Sequence, residues 1–362
     1  MSRLITISSF ALALSFMPLN SGIAGSGSHS ATQARTPRDP TALKYHPEEM
    51  PPNASAGVLL VANKGDHAMG IINPAEGRQT AEVPEGGITG HEVIASPDGK
   101  TAYVPIYGNS GVGKPGTNGE KIAVIDVASR RVTGDVDFGH GVRPHCPMFG
   151  PKDGLLYVTT ELDKTISIID PRTLRIIGSI PTDQPESHML ILSHDGRRGY
   201  TANVGPGTVS VLDIQNRKTL KVIPISHETQ RISITPDDKL VFTADQTKPQ
   251  LAVIDTASDE VTHWIPLPGL GYGTAPTHDG RWLIVAVPTV NKVAIVDLGS
   301  LKVVHTIDVP KAPQEVLVRP DDKVAYVSCD SSHQIAAIDI PGWNVEKLID
   351  AGKGADGLAW AR

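Results

Sequence analysis

The sequence predicts an all-β protein: a seven-bladed β-propeller with four antiparallel strands per blade, whose first blade is closed by the C-terminal strand. Two observations predict this fold, a motif that recurs about every 42 residues and the short strand-like runs within each repeat. Self-similarity at such a period is typical of stacked supersecondary units. The aspartate that ends each "AVIDV"-like run marks the repeat, and it occurs at Asp126, Asp170, Asp213, Asp255, Asp297 and Asp339.

Each repeat contains four short strand-like runs. Within residues 228–267 these are "TQRISIT", "LVFTAD", "LAVIDT" and "VTHWIPL", and the turns "PDDK" and "ASDE" lie between them. Runs rich in Val, Ile and Thr that are separated by Gly, Pro, Asp and Ser are typical of strands joined by hairpin turns. Four antiparallel strands per repeat, arranged around a ring, form a β-propeller.

The two ends of the repeat region are expected to form one blade together. Residues 57–83 supply three strands, and the C-terminal "GADGLAWAR" supplies one inner strand. Pairing them would close the ring and leave no long sheet edge exposed. We therefore predict a single domain of seven blades over residues 57–362.

The first residues have the pattern of an export signal. Residues 1–24 have a short basic start, an apolar run and small residues near the end, which predicts a signal peptide that is too short for a membrane anchor. Residues 25–56 are rich in Pro, Ser, Thr and Ala and are predicted to be a flexible leader. The expected location is periplasmic or secreted, and no other segment is long and apolar enough to span a membrane.

The charge and the cysteine content of the chain argue against nucleic-acid binding, a disulfide and covalent attachment of haem. The net charge of −6, with Lys and Arg scattered along the chain, gives no basic surface for nucleic acid. Cys146 and Cys329 belong to different blades, so a disulfide between them is not expected. The chain has no C-x-x-C-H motif, which argues against covalent attachment of haem.

One position in every repeat points to a shared site. It lies six residues before the first turn of the repeat, at the start of the inner strand, and the inner strands of a propeller line its central channel. Because the register is the same in each repeat, we expect these side chains to form one ring near one mouth of the channel. In order around the ring they are Asp356, His91, His145, His188, Gln230, Tyr272 and Gln314.

The ring residues support two interpretations. Three adjacent histidines, His91, His145 and His188, beside Asp356 are suited to a divalent metal, zinc or iron. A metal there would acidify a bound water and make it a nucleophile. In the other interpretation these side chains line a wet channel in a non-catalytic module that binds a small ligand or a periplasmic protein.

A glycine-rich insertion lies beside this mouth. The stretch "GNSGVGKP", residues 108–115, has the spacing of a phosphate-binding loop but ends in Pro, where Ser or Thr must reach the magnesium ion. We interpret it as a flexible loop over the channel mouth.

Three stretches resemble a known family. "AYVPIYGN", "LYVTTELDKTISIIDPRT" and "AYVSCDSSHQIAAIDI" resemble the YVTN family of seven-bladed propellers, over about residues 57–362. The resemblance implies the fold and is nearly silent on activity, since propellers include enzymes, ligand-binding proteins and scaffolds.

One blade is similar to the 6-phosphogluconolactonase-like lactonase branch of these propellers. The similarity lies in "RPHCPMFGPKDGLLYVTTELDKTI" and implies His145 and Glu161 as catalytic acid and base, with Arg143 binding an anionic substrate. The chain departs from that branch at Thr160, where Asn is usual. The further substrate-binding candidates are Gln230, Arg231, Tyr272 and Gln314.

A third function follows from similarity to the haem-binding cytochrome d1 propellers. This similarity implies that a ring histidine binds a haem that is held without a covalent bond. A lactonase-like or metal-assisted hydrolase, a non-catalytic binding module and a haem-binding propeller therefore all remain open from the sequence.

Overall fold

The computed structural model of the chain describes residues 56–362 and confirms the predicted propeller. Seven four-stranded antiparallel sheets are present. The predicted signal peptide, and all of the predicted leader except Ala56, lie outside the described residues. Over residues 56–362 no helix has the length and apolar character needed to cross a bilayer.

The strands run in chain order from the inner to the outer position of each blade, except in blade 1. Blade 1 consists of β1 (Val58–Asn63), β2 (Ala68–Asn73), β3 (Arg78–Pro84) and β28 (Ala355–Ala361). Blades 2 to 4 consist of β4 (Ile94–Ala95), β5 (Thr101–Gly108), β6 (Asn118–Asp126), β7 (Arg131–Asp137), β8 (Pro144–Phe149), β9 (Leu156–Thr160), β10 (Thr165–Asp170), β11 (Arg175–Pro181), β12 (Ser187–Leu192), β13 (Arg198–Asn203), β14 (Thr208–Asp213) and β15 (Lys218–Pro224). Blades 5 to 7 consist of β16 (Thr229–Ile234), β17 (Leu240–Asp245), β18 (Gln250–Asp255), β19 (Glu260–Pro266), β20 (Thr274–Pro276), β21 (Trp282–Val287), β22 (Lys292–Asp297), β23 (Lys302–Asp308), β24 (Pro313–Val318), β25 (Val324–Cys329), β26 (Gln334–Asp339) and β27 (Asn344–Asp350).

The C-terminal strand closes the ring as predicted. β28 occupies the inner position of blade 1 and pairs antiparallel with β1, where Leu59 lies opposite Trp360. The first and last strands of the repeat region are thereby held in one sheet, and neither leaves a long exposed edge.

The repeating aspartate has a clear structural role. It ends the third strand of its blade, and its carboxylate accepts a backbone hydrogen bond in the turn that follows. Asp126, for example, accepts from the amide of Ser129 at 2.7 Å. Arg130, next in this turn, has φ of +58°, which the tight connection to β7 requires. The motif that marks the repeat in the sequence is therefore a hairpin turn that the side chain caps.

The hydrophobic core lies between neighbouring blades. One cluster joins Tyr157 of blade 3, Tyr200 of blade 4 and Val241 of blade 5, all of them buried. Cys146 and Cys329 belong to two different clusters of this core and are buried free thiols.

Candidate functional site

The inner strands are irregular where they line the channel. In blades 3, 4, 5 and 7 the register between the first and second strands shifts by one residue at the start of the inner strand, and β28 has the same shift against β1. Such β-bulges redirect side chains. In blade 5 the extra residue is Arg231, whose φ of +57° is in the left-handed region that non-glycine residues rarely adopt. The bulge allows the side chain of Arg231 to cross the channel.

Three of the predicted ring residues meet in one half of the channel. The imidazole centroids of His91 and His145 are 5.6 Å apart, and those of His145 and His188 are 3.5 Å apart. The phenol ring of Tyr107 packs against all three imidazoles, with centroid distances of 4.9 to 5.7 Å. The equal register of blades 2, 3 and 4 therefore does bring the three histidines together.

Burial keeps these imidazoles neutral. It lowers the pKa of His91 to about 4, and it lowers those of His145 and His188 well below their ordinary value. His145 and His188 are only 2% and 4% exposed, and the Nδ1 atom of each has no hydrogen-bond partner among the described residues. Of the three histidines, His91 alone is part-exposed.

The cluster is not arranged as a three-histidine site for a single ion. Two imidazoles that bind one metal at about 2.1 Å with a near-tetrahedral angle keep their ring centroids ~5 Å apart. The His145 and His188 rings, at 3.5 Å, lie closer than that and nearly face each other. No group of three His, Cys, Asp or Glu side chains in residues 56–362 is placed to hold a metal ion.

Arg231 organises the other half of the channel. Its Nη1 donates to Glu92 at 2.5 Å and to Glu315 at 2.6 Å, and its Nη2 donates to Asp356 at 3.0 Å. The guanidinium also lies over the ring of Tyr272, 4.9 Å from its centroid. One buried cation therefore holds three carboxylates that come from blades 2, 7 and 1.

Lys64 extends this network to the mouth. Its Nζ lies 3.0 Å from Asp356 and 2.8 Å from Asp330, and its side chain is 27% exposed. Burial by itself would raise the pKa of Asp356, but Lys64 and Arg231 outweigh it and lower that pKa.

The two glutamates of the network hold their protons more tightly than usual. Burial raises the pKa of Glu92 to about 8, against the opposing effect of Arg231, and it also raises the pKa of Glu315. Four carboxylates, Glu92, Glu315, Asp330 and Asp356, share two cations in this part of the channel. Because the raised pKa values favour the protonated, neutral forms of Glu92 and Glu315, the four acidic groups do not carry four full negative charges at neutral pH.

A second buried cluster holds the glycine-rich insertion against blade 3. Arg143, in the left-handed region with φ of +53°, donates to Glu161 at 3.3 Å and to the carbonyl of Lys114 at 2.7 Å. The Glu161 carboxylate also accepts from the Tyr107 hydroxyl and from the amide of Gly113, at 3.2 Å in the latter case. The loop predicted to lie over the mouth is thus held by Glu161 and Arg143, for which the lactonase resemblance implied a catalytic and a substrate-binding role respectively.

The structure places the other predicted residues at the mouth without joining them into one group. Gln314 Nε2 donates to the Ala312 carbonyl at 3.4 Å, and the buried Oε1 of Gln230 has no hydrogen-bond partner in the described chain. Between residues 56 and 362, no hydrogen bond joins His145 to Glu161, whose carboxylate is taken up by the second cluster.

Sequence reasoning missed two of the carboxylates on Arg231, those of Glu92 and Glu315. Each directly follows a ring residue, and strict alternation along a strand would point it away from the channel. A signal was present in the consecutive polar pairs His91-Glu92, Gln230-Arg231 and Gln314-Glu315. Two polar residues in a row at the start of a buried strand indicate a bulge or a broken strand.

Comparisons with known proteins identify related chains. Residues 149–358, more than half of the chain, match the protein family described as "Cytochrome D1 heme domain". No curated protein matches the chain.

Two solved structures illustrate the likeness in fold. A functionally unknown protein from Desulfotomaculum acetoxidans DSM 771 has a TM-score of 0.69 at 12% identity, covering 85% of this chain and 99% of that one. A hydrazine synthase from Kuenenia stuttgartiensis has a TM-score of 0.48 at 18% identity, covering 69% of this chain and 95% of that one. The first likeness shows the fold, and the second is too weak to bear on function.

Proposed function

Because the chain belongs to the cytochrome D1 heme domain family, we propose that it is an exported β-propeller that binds a haem without a covalent bond at the mouth of its channel. The observation that carries this proposal is the group of three neutral imidazoles, of which only His91 is part-exposed. Export rests on the signal peptide predicted at residues 1–24, and with it the periplasmic location.

The residues fit the iron of a haem. The iron of a haem can bind a neutral imidazole, and burial, which lowers the pKa of His91 to about 4, supplies this form at neutral pH. The unpartnered Nδ1 atoms of His145 and His188 show that this half of the channel has polar groups that the protein alone does not satisfy.

Each group of the chain has a distinct part in this proposal. His91 would bind the iron, and Tyr107, packed 4.9 Å from it, would fix the plane of its imidazole. Lys64, the part-exposed cation at the mouth, would pair with a haem carboxylate. His145 and His188 would exclude bulk water behind His91, since both are almost fully buried. A bound haem would supply one-electron chemistry, and its potential would follow from the charge and burial around it.

The geometry supports this function better than hydrolysis. A lactonase-like mechanism needs His145 and Glu161 to share protons with a substrate held by Arg143. In the structure Glu161 and Arg143 bind each other and hold the loop of residues 109–117 over blade 3. A small ligand in the channel is common to both functions, so the test must detect the haem itself.

Titration of the purified protein with haemin tests the proposal. We expect a sharp Soret band at one haemin per chain, which denaturant abolishes because the chain has no covalent attachment motif. His91→Ala is expected to weaken binding by about 100-fold or more, since it removes the iron ligand itself. The control is His263→Ala, on the exposed face of outer strand β19, which should bind as the wild type does. A wild-type protein without a Soret band, or a His91→Ala variant with wild-type affinity, contradicts the proposal.

A further inference from the structure

A buried glutamate next to the histidine cluster stands where the other blades have no charged residue. Glu85 is the first residue after the outer strand of blade 1, where the chain crosses to blade 2, and it is 3% exposed. Five of the six corresponding positions are apolar and one is threonine: Phe138, Thr182, Ile225, Leu267, Val309 and Ala351. A carboxyl group is costly to bury, so its presence at this single position needs a reason.

Glu85 supports the backbone immediately before His91. Its Oε1 accepts a hydrogen bond from the amide of Gly90 at 2.5 Å. The inner strand of this blade is reduced to Ile94–Ala95, and only an isolated bridge joins Gly90 to the neighbouring strand, at Ile106. Backbone hydrogen bonds hold the residues on either side, since the Thr89 carbonyl accepts from the Tyr107 amide at 2.9 Å and the His91 carbonyl accepts from the Gly357 amide at 2.9 Å. The carboxyl group of Glu85 supplies the acceptor for the amide of Gly90 between them.

Close packing around Gly90 restricts the residue type that this turn can accept. A Cβ atom at Gly90 would lie 3.0 Å from Oε2 of Glu85 and would collide with Val104, so the backbone approach requires glycine. The same Oε2 atom is buried and has no hydrogen-bond partner in the described part of the chain. Burial raises the pKa of Glu85 to about 7, although the hydrogen bond from Gly90 lowers it.

Blade 4 has a related arrangement before its own histidine. Thr182, at the position of Glu85, accepts a hydrogen bond at 2.7 Å from the hydroxyl of Ser187, the residue that precedes His188. In both blades a polar side chain after the outer strand contacts the residue five positions later, and a cluster histidine follows. The two polar exceptions among these positions therefore lie on the connections that lead into blades 2 and 4, two of the three blades that supply the cluster.

We propose that Glu85 is a positioning residue for His91, which it acts on through the backbone of Gly90. The carboxyl group fixes this backbone so that the imidazole stays against Tyr107 and keeps its open edge at the channel mouth. The functional consequence rests on the proposed role of His91 as the iron ligand. The structural consequence concerns the ligand-free protein and does not depend on that role.

Two variants of Glu85 test the positioning role. Glu85→Leu inserts the side chain that blade 6 has at Leu267 and removes the acceptor for the Gly90 amide. Glu85→Gln keeps an acceptor oxygen at the same reach. Both are compared with Val309→Ala, which changes the corresponding half-buried position on the connection from blade 6 to blade 7. Nuclear magnetic resonance of the His91 imidazole is recorded in the ligand-free full chain, and haemin affinity is measured separately.

We expect Glu85→Leu to shift the imidazole resonances of His91 and to weaken haemin binding by about 10- to 100-fold, the range for partners that orient a metal ligand. Glu85→Gln should have the His91 resonances and the haemin affinity of the wild type, and Val309→Ala should change neither quantity. Wild-type resonances in Glu85→Leu overturn the positioning role. If Glu85→Leu does not fold, Glu85→Asp, which shortens the reach to Gly90, serves the same comparison. A shift of the resonances in a protein that binds no haemin supports the role of Glu85 and rejects the haem proposal alone.

Discussion

Replacing Arg231 with methionine is expected to lower the free energy of unfolding by about 3–5 kcal/mol, the usual cost of removing one partner from a buried ion network. The guanidinium is almost fully buried and holds Glu92, Glu315 and Asp356 at 2.5 to 3.0 Å. Methionine would fill much of the volume but would leave three carboxylates in the channel with Lys64 as the nearest cation. Denaturant unfolding at neutral pH measures the loss.

Two further variants test whether the loss of stability comes from the buried ion network. Arg175→Met, on the exposed face of outer strand β11, should change stability by less than about 0.5 kcal/mol. Adding Glu92→Gln and Glu315→Gln to Arg231→Met should recover part of the loss, because these changes remove two buried carboxyl groups that would have lost the donor they share. A loss under about 1 kcal/mol for Arg231→Met would show that the network does not hold the channel together.

The second large effect is a loss of folding stability at acidic pH, which we expect from His91. The pKa of His91 is lowered from 6.5 to about 4 in the folded protein, so the unfolded chain binds a proton more readily between these values. The stability that neutral His91 contributes is complete above pH 6.5 and is lost as the pH falls toward 4. Between pH 7 and pH 4.5 this single group should cost the wild type about 2 kcal/mol.

Replacing His91 with glutamine isolates the contribution of this residue to the pH dependence of stability. His91→Gln cannot take up the proton, so its stability should fall less between pH 7 and pH 4.5 than that of the wild type. The quantity that reports on His91 is the difference in the free energy of unfolding between the two proteins at each pH. The wild-type profile alone is not enough, because Glu85 and Glu92 have raised pKa values and change the stability with pH in the opposite direction. Their contribution is complete below about pH 4.5 and is lost as the pH rises toward 7 or 8. Parallel pH profiles for the wild type and His91→Gln would mean that His91 is protonated as readily in the folded protein as in the unfolded chain.

The fold could be predicted from the sequence because each blade repeats the same local chemistry. A capped turn after Asp126 and its counterparts fixes the period, and the missing inner strand of the first repeat predicts closure by the last strand. Equal register also predicted that His91, His145 and His188 would meet, because side chains at equal positions in neighbouring blades occupy equal heights in the channel.

The detail of the site could not be predicted, for physical reasons. The left-handed bulge at Arg231 breaks the alternation on which sequence reasoning depends, and it brings the guanidinium to Glu92 and Glu315. The 3.5 Å approach of His145 and His188 depends on side-chain rotamers that no spacing encodes. Glu85 could have been found by comparing the residue after each outer strand, since it is the only acidic residue among the seven.

The most direct test of the account is magnetic resonance of the haemin-loaded protein, prepared with ¹⁵N in the imidazole rings of its histidines. Pulsed electron paramagnetic resonance of the ferric iron detects a nitrogen bound to it through its hyperfine coupling. We predict a coupling to one histidine nitrogen in the wild type that is lost in His91→Gln and kept in His263→Ala. A wild-type spectrum without histidine coupling, or a coupling that survives in His91→Gln, would contradict the assignment of the channel mouth as the haem site.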